Sequence, residues 1–427
     1  MIPKPADTVA PGPENASPGP RPDPAVRLSP QAVQAARGEI LPFTALRGLA
    51  AWWVVGYHFR ENLPPFGPGS RELWSVLSRG ALAVDLFFIM SGFVMALSYG
   101  PAFHQGVTLR GFFRFIALRL GRVYPLHILI LVLFISVPVA LSVTGRPPLD
   151  SQFPWDYFVQ SVFLVQASGI FHGLAWNLPA WSISTEMMFY LLCPAILVGT
   201  ARGLLGIPAH LVVMACVLVM IAFIGIMAGG LTNGIERYGV FRCIFECTLG
   251  VLLFRASAMA GTRGWLMLVL LAVSALCGWV YATGVAPDYA VVPLAFACLL
   301  WSLLHPRNWL GRAISNPVLL WLGRLSYATY MVHFLLKYWV KFLLGGNVSA
   351  PILLAAYLGS VLVASVALHY LVELPTRRLS RHLVRRWFDD RAPKRSAWTQ
   401  VPGGVEPPNL NASGLNASGL NTRGLSD

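Results

Sequence analysis

Five ionisable side chains stand where apolar surroundings should exclude them. Arg47, Asp85, Glu186, Glu246 and Arg324 fall inside or at the edge of long apolar segments. A charge at the centre of a bilayer costs roughly 2.5–3.5 kcal/mol even on lenient insertion scales. Five of them facing lipid would cost on the order of 15 kcal/mol, so they are expected to turn into a shared polar interior. Arg47 and His58 lie eleven residues apart in one such segment. That is about three helical turns, which puts both on one face, roughly 16 Å apart along the axis. Once the chain is threaded through the membrane, His58, Asp85 and Glu186 fall at similar depth. A carboxylate that orients an imidazole and stabilises its charged form makes it a competent general base. His58 with Asp85 or Glu186 is therefore the candidate catalytic set. An interfacial arginine and a histidine satisfied by a neighbouring helix is the blander arrangement open to the same pair.

Other residues extend this picture. Ser326, Tyr330, His333 and Lys337 step by four, three and four, a polar stripe on an apolar helix. It either lines the same cavity or forms a hydrogen-bonded seam between helices. Arg119, Gly121, Arg122, Tyr124 and Pro125 are placed in an inner loop, as an anion site in which guanidinium groups grip phosphate in forked geometry. Arg110 and Arg114 read as topology signals alone. Arg242, one turn before Glu246, reads as its local ion-pair partner. Glu373, before Pro375, either anchors a helix end or meets the arginine cluster that follows. The six cysteines all sit in apolar segments without metal-ligand spacing, so neither a disulfide framework nor a structural metal is expected. No nucleophile elbow, P-loop or dinucleotide fingerprint is present.

The elements that must position these residues are membrane spans. Of 427 residues, 56% are hydrophobic and only 12% charged, too few charges to cover the aqueous surface of a soluble fold this size. Mean hydropathy is +0.61. The fold class is all-α: a polytopic bundle of about ten transmembrane helices, near 42–60, 80–99, 123–143, 179–199, 208–229, 239–255, 264–284, 288–305, 320–343 and 351–373. Residues 157–171 are too short to span and read as a re-entrant or interfacial amphipathic piece. The net charge of +14 reads as topology rather than nucleic-acid binding. With both termini inside, Arg110 to Arg122, Arg202, Arg255, Arg263, Arg307, Arg312 and the group Arg377 to Arg386 all fall on the inner side. Acidic residues mix with the fewer outer arginines. Residues 1–40, with nine prolines, form a disordered cytoplasmic arm without a signal peptide. Residues 41–380 form the membrane domain. Residues 381–427 form a disordered cytoplasmic tail with Asn-Ala-Ser-Gly-Leu repeats from Asn411.

In order along the chain, these strings resemble the acyltransferase-3 family of bacterial integral-membrane O-acyltransferases. The resemblance runs from about 41 to 380. It is carried by Arg47-(ten residues)-His58, by Ala83-Val-Asp85-Leu-Phe-Phe-Ile-Met-Ser-Gly-Phe93, and by Arg119-Leu-Gly-Arg122-Val-Tyr-Pro125. Trp181-Ser-Ile-Ser-Thr-Glu186 with Phe189-Tyr190, Ser326-Tyr327-(two)-Tyr330-(two)-His333 and Glu373-Leu-Pro375 complete it. The sequence departs from the family pattern at Ala83, where glycine is usual, and at Met187 and Met188, where a Glu-Gln pair is frequent. No hydrolase-like domain follows the last span, so the resemblance is to the stand-alone form.

The resemblance implies transfer of an acyl group, usually acetyl, from cytoplasmic acyl-CoA to a hydroxyl of a carbohydrate-type acceptor. Lipopolysaccharide, capsule, peptidoglycan, oligosaccharides and macrolides are all used within the family. It makes acyl-CoA a donor substrate rather than a bound cofactor, with membrane lipid and a glycan as the other partners and no nucleic acid or metal. It places the protein in the bacterial inner membrane. His58 with Asp85 or Glu186 takes the catalytic part. Arg47, Arg119, Arg122, Ser182, Tyr330 and His333 take donor or substrate. Direct transfer and an acyl-histidine relay both remain open. A transporter or flippase, whose buried charges would form a substrate path, is the competing reading, although no convincing inverted repeat relates the two halves.

Overall fold

A computed structural model describes residues 39–389, apart from 63–69, 148, 150–151, 171–173, 202–206, 261–262 and 347. Residues 1–38 of the expected arm and 390–427 of the expected tail lie outside the described residues, as does Arg202, whereas residues 381–389, expected to be disordered, are helical. The described residues form helices and loops, without a strand. In chain order the helices are α1 (Leu41–Phe59), α2 (Ser70–Ser78), α3 (Ala83–Phe103), α4 (Leu109–Phe134), α5 (Ser136–Val143), α6 (Trp155–Val162), α7 (Trp181–Ala201) and α8 (Ile207–Ala228). There follow α9 (Ile235–Ala260), α10 (Gly264–Ala282), α11 (Asp288–Leu303), α12 (Trp309–Ile314), α13 (Pro317–Leu344), α14 (Ala350–Leu368) and α15 (Leu374–Val384). A π-helical turn, His369–Glu373, joins α14 to α15.

Seven helical stretches are long and apolar enough to cross a membrane, those built on α3, α4 with α5, α7, α8, α9, α10, and α14 with α15. α1, α11 and α13 occupy the remaining expected spans but fall outside those seven. α11 has only 16 residues. α1 and α13 are long enough, at 19 and 28 residues, but carry Arg47, His58, Arg324, His333 and Lys337. The side chains that could do chemistry are the ones that dilute the apolar signal.

The helix expected to begin near 123 begins at Leu109 instead. Thr108 caps it, its Oγ1 accepting the Gly111 N–H at 3.1 Å. Arg110, Arg114, Arg119 and Arg122 therefore sit on helical turns and not in a loop. At 26 residues α4 is about 39 Å long, more than the ~30 Å hydrocarbon layer needs, so its basic turns need not enter the hydrocarbon.

Two close helix crossings set the bundle. α1 lies against α13 at Gly48 and Gly323; a Cβ on Gly48 would come within 2.7 Å of the Gly323 nitrogen. α3 lies against α9 at Gly92 and Gly250, where a Cβ on either would strike the facing backbone at Cys247 or Ile89. Without water to drive apolar association, such small residues let membrane helices approach and gain dispersion contact.

The expected amphipathic piece is the short α6 followed by irregular chain. Side chains satisfy its backbone: His127 Nε2 lies 2.8 Å from the Ser161 carbonyl, and Tyr124 and Ser184 donate to the Val162 and Leu164 carbonyls at 2.7 Å each. Non-helical backbone survives at membrane depth only when it is satisfied in this way.

Candidate active site

α1, α3, α4, α7, α13 and the α14–α15 junction enclose a cavity of about 630 Å³. Its walls carry Arg47, Arg119, Arg122, Arg324 and Arg377 against two carboxylates, Glu39 and Glu186. Arg324 pairs with Glu39 at 3.6 Å, and Glu186 accepts a hydrogen bond from Ser91. Arg119 donates to Tyr99, and its guanidinium carbon stands 4.8 Å from the centre of that ring. Its buried Nε has no partner among the described residues. Arg47 donates to the Gly323 carbonyl at 3.1 Å, which ties it to the α1–α13 crossing. Five guanidinium groups with two carboxylates leave an excess of positive charge in a confined site. Such a site suits an anion, because buried cations are expensive unless paired.

Part of the lining is polar and neutral. The Ser182 hydroxyl and Tyr330 hydroxyl lie 2.8 Å apart, and Tyr330 also donates to the Pro179 carbonyl at 2.9 Å. One turn further along α13 stands His333, its ring 5.8 Å from that of Tyr330. His333 packs edge-on against His58, with centroids 5.1 Å apart. Each imidazole places Nδ1 against a carbonyl of its own helix: His58 on Val54 at 3.2 Å, His333 on Tyr330 at 2.7 Å. A carbonyl can only accept, so both Nδ1 atoms carry the proton and both Nε2 atoms present a lone pair. The His333 Nε2 is buried with no partner among the described residues. Phe334 and Tyr57 close around His58 at 5.2 and 4.9 Å.

The expected set is thus partly gathered. Arg47, Arg119, Arg122, Ser182, Glu186 and Tyr330 line one cavity. His58 and His333 meet each other one turn beyond Tyr330. Asp85 and Glu186, expected to orient His58, have other partners among the described residues. Glu186 takes Ser91. Asp85, fully buried, takes Arg242 through Nε at 2.8 Å and Nη2 at 2.6 Å. A backbone carbonyl fixes the His58 tautomer where a carboxylate was expected, and another fixes that of His333.

Arg242 is the residue that sequence reasoning underrated. It does reach its helical neighbour Glu246, at 3.6 Å, but Asp85 holds it more closely. Its guanidinium also donates to the Leu231 carbonyl. A buried Asp85 needs a cation at equal depth, and that requirement was the signal available in the sequence. Arg377 and His369 were likewise missed as cavity residues. Glu373 binds both, at 3.3 and 2.8 Å.

Comparison with known proteins gives the family. A family model described as an acyltransferase domain, acyltransferase-3, matches residues 43–370. Acyltransferase MdmB of Streptomyces mycarofaciens is 27% identical over 383 residues, covering 79% of this chain and 91% of that protein. Protein 2 in the picA locus of Rhizobium radiobacter is 38% identical over 157 residues, covering 34% of this chain and 74% of that protein. Peptidoglycan O-acetyltransferase OatA of Listeria monocytogenes is 22% identical over 319 residues; the match spans 68% of this chain but only 48% of OatA. No solved structure matches. The family match spans every residue gathered around the cavity except Glu39, Ile40, Leu374 and Arg377, and it includes both histidines beyond it. The chain belongs to the acyltransferase-3 family and is an acyltransferase built as an all-helical membrane protein.

Proposed function

We propose that this protein transfers an acetyl group from acetyl-CoA to a hydroxyl of a carbohydrate-type acceptor at the bacterial inner membrane. Ten spans, with both termini on the arginine-rich cytoplasmic side, complete the reading. The observation that carries it is the arginine-lined cavity whose lining includes Ser182 and Tyr330, with His333 one helical turn beyond Tyr330 and its ring against that of His58.

Arg119 and Arg122 hold the donor phosphates, with Arg377 nearer the arginine-rich end and Arg47 along the wall. Ser182 and Tyr330, which share a hydrogen bond, orient the thioester. The Nε2 of His58 removes the acceptor proton as the hydroxyl oxygen attacks the acyl carbonyl. The carbon–sulfur bond breaks, and the departing thiolate takes the proton back from the imidazolium. In the relay version the Nε2 itself attacks, the thiolate leaves, and the hydroxyl then takes the acyl group from nitrogen, its proton passing through the freed Nε2 to the thiolate. Both give one ester and one CoA thiol. OatA is named for O-acetyl transfer to peptidoglycan, which supports an envelope glycan as acceptor.

Acetyl-CoA binding to the purified full-length chain tests the donor assignment by calorimetry. Charge-assisted hydrogen bonds contribute about 1.5–3 kcal/mol each. Arg119→Gln with Arg122→Gln is therefore expected to weaken binding at least tenfold. Absence of acetyl-CoA binding by the wild type removes the donor assignment. Glycan movement without acyl consumption would favour transport.

A further inference from the structure

The arginine-rich end carries a surface that the transfer reaction does not use. α14, the π-helical turn and α15 run on as one helical stretch, Ala350–Phe388, of 39 residues. At 1.5 Å per residue that is about 58 Å, against ~30 Å of hydrocarbon. Its last turns must pass into the headgroup layer. The stretch Leu109–Val143 has 35 residues and overshoots in the same way. The two emerging ends are fastened together: Ser380 donates to the Gly121 carbonyl at 3.2 Å, and Arg110 donates to the Phe388 carbonyl.

α15 presents distinct faces. Ser380 meets α4, and Val384, one turn on, is buried. Leu379 and Leu383 form an exposed row that Trp387 continues, at 57%, 44% and 59% exposure. Beside it the first turns of α4 expose Leu109 and Phe113. Arg378, Arg381, Arg385 and Arg386 are exposed as well, with no hydrogen-bond or ion-pair partner among the described residues. Arg377 is not one of them, since it faces the cavity and Glu373. An apolar row flanked by four unpaired guanidinium groups, where two overlong helices leave the hydrocarbon, matches the boundary between acyl chains and anionic headgroups.

We propose that α15 and the start of α4 form a binding surface for anionic phospholipid headgroups. The leucine row and Phe113 sit at the acyl boundary. Arg378, Arg381, Arg385 and Arg386 take the phosphates in forked geometry and select for net negative charge. The surface is separate from the donor cavity, because none of its four arginines lines it.

The full-length protein in mild detergent is titrated with phosphatidylglycerol or phosphatidylcholine, and bound lipid is counted by native mass spectrometry. Each basic side chain near an anionic surface contributes about a fivefold factor. Phosphatidylglycerol is therefore expected to bind at least tenfold more tightly, with the preference shrinking as salt is raised. R378Q/R381Q/R385Q/R386Q is expected to abolish the preference. Should four replacements prevent folding, R381E alone carries the test and is expected to reduce it at least fivefold. Equal affinity for the two lipids in the wild type overturns the proposal, as does an undiminished preference in a folded variant. Binding of a short polyuridylate without any lipid preference also overturns it and assigns the basic face to another polyanion.

Discussion

Replacing Asp85 by Asn separates a structural duty from a catalytic one. Asp85 is fully buried and engages Arg242 at 2.6 and 2.8 Å, while Glu246 reaches the same guanidinium only at 3.6 Å. Removing one partner of a buried pair costs about 3–5 kcal/mol, because a buried charge is left poorly compensated. Glu246 remains and keeps part of the compensation, so the lower end, ~3 kcal/mol, is expected for Asp85→Asn. Interhelical polar contacts in membranes average nearer 0.6 kcal/mol, and a loss of that size would mean the pair is replaceable by other neighbours. The assay is the apparent melting temperature of the purified chain in detergent, for Asp85→Asn, Arg242→Met and the double variant. Each single change is expected to lower it by several degrees. The double variant removes the Asp85 charge but still leaves buried Glu246 without its cation, so it is expected to recover only part of the loss. A folded Asp85→Asn protein with unchanged melting and no transfer activity would refute this account and make Asp85 catalytic.

Further outcomes follow from the same geometry. Gly323→Val should drive the added side chain into the Thr44 backbone and abolish a monodisperse fold on size exclusion, whereas Gly359→Ala, with nothing within 4 Å of its Cβ, should leave the elution profile unchanged. Tyr330→Phe removes hydrogen bonds to Ser182 and Pro179 and is expected to lower transfer about tenfold, read as kcat with acetyl-CoA saturating, while melting drops by only about 1 kcal/mol equivalent. His333→Phe keeps the ring packing beside His58 but deletes the second bare Nε2. Transfer through His58 needs no second imidazole, so a loss of less than tenfold is expected, and a hundredfold loss would give His333 a part in the reaction.

How much of this was legible in the sequence varies by element. Apolar length alone located α3, α7, α8, α9 and α10, because a bilayer demands uninterrupted apolar residues and these helices supply them. It misjudged α4, where four arginines looked like a loop but are helix formers on turns that overshoot the hydrocarbon. The three-turn spacing of Arg47 and His58 put both on one face of α1, and the structure sends that face to α13 through Arg47 and Gly323 and through His58 and His333. Spacing could not say which helix would meet His58. That depends on the close approach at Gly48 and Gly323, which fixes the register of α1 on α13. The same limit explains Asp85. Its need for a cation was plain, but 157 residues separate it from Arg242 in sequence, and only the α3–α9 crossing at Gly92 and Gly250 joins them.

The central claim is that a bare imidazole nitrogen of His58 does the work of transfer. Its most direct test is mass spectrometry of cell-envelope glycans from a strain lacking this protein, complemented with the wild type or with His58→Ala. The wild type should restore an acetyl ester that the deletion lacks. His58→Ala should restore none, at equal protein level in the membrane fraction. Full esterification by the His58→Ala protein would contradict the account.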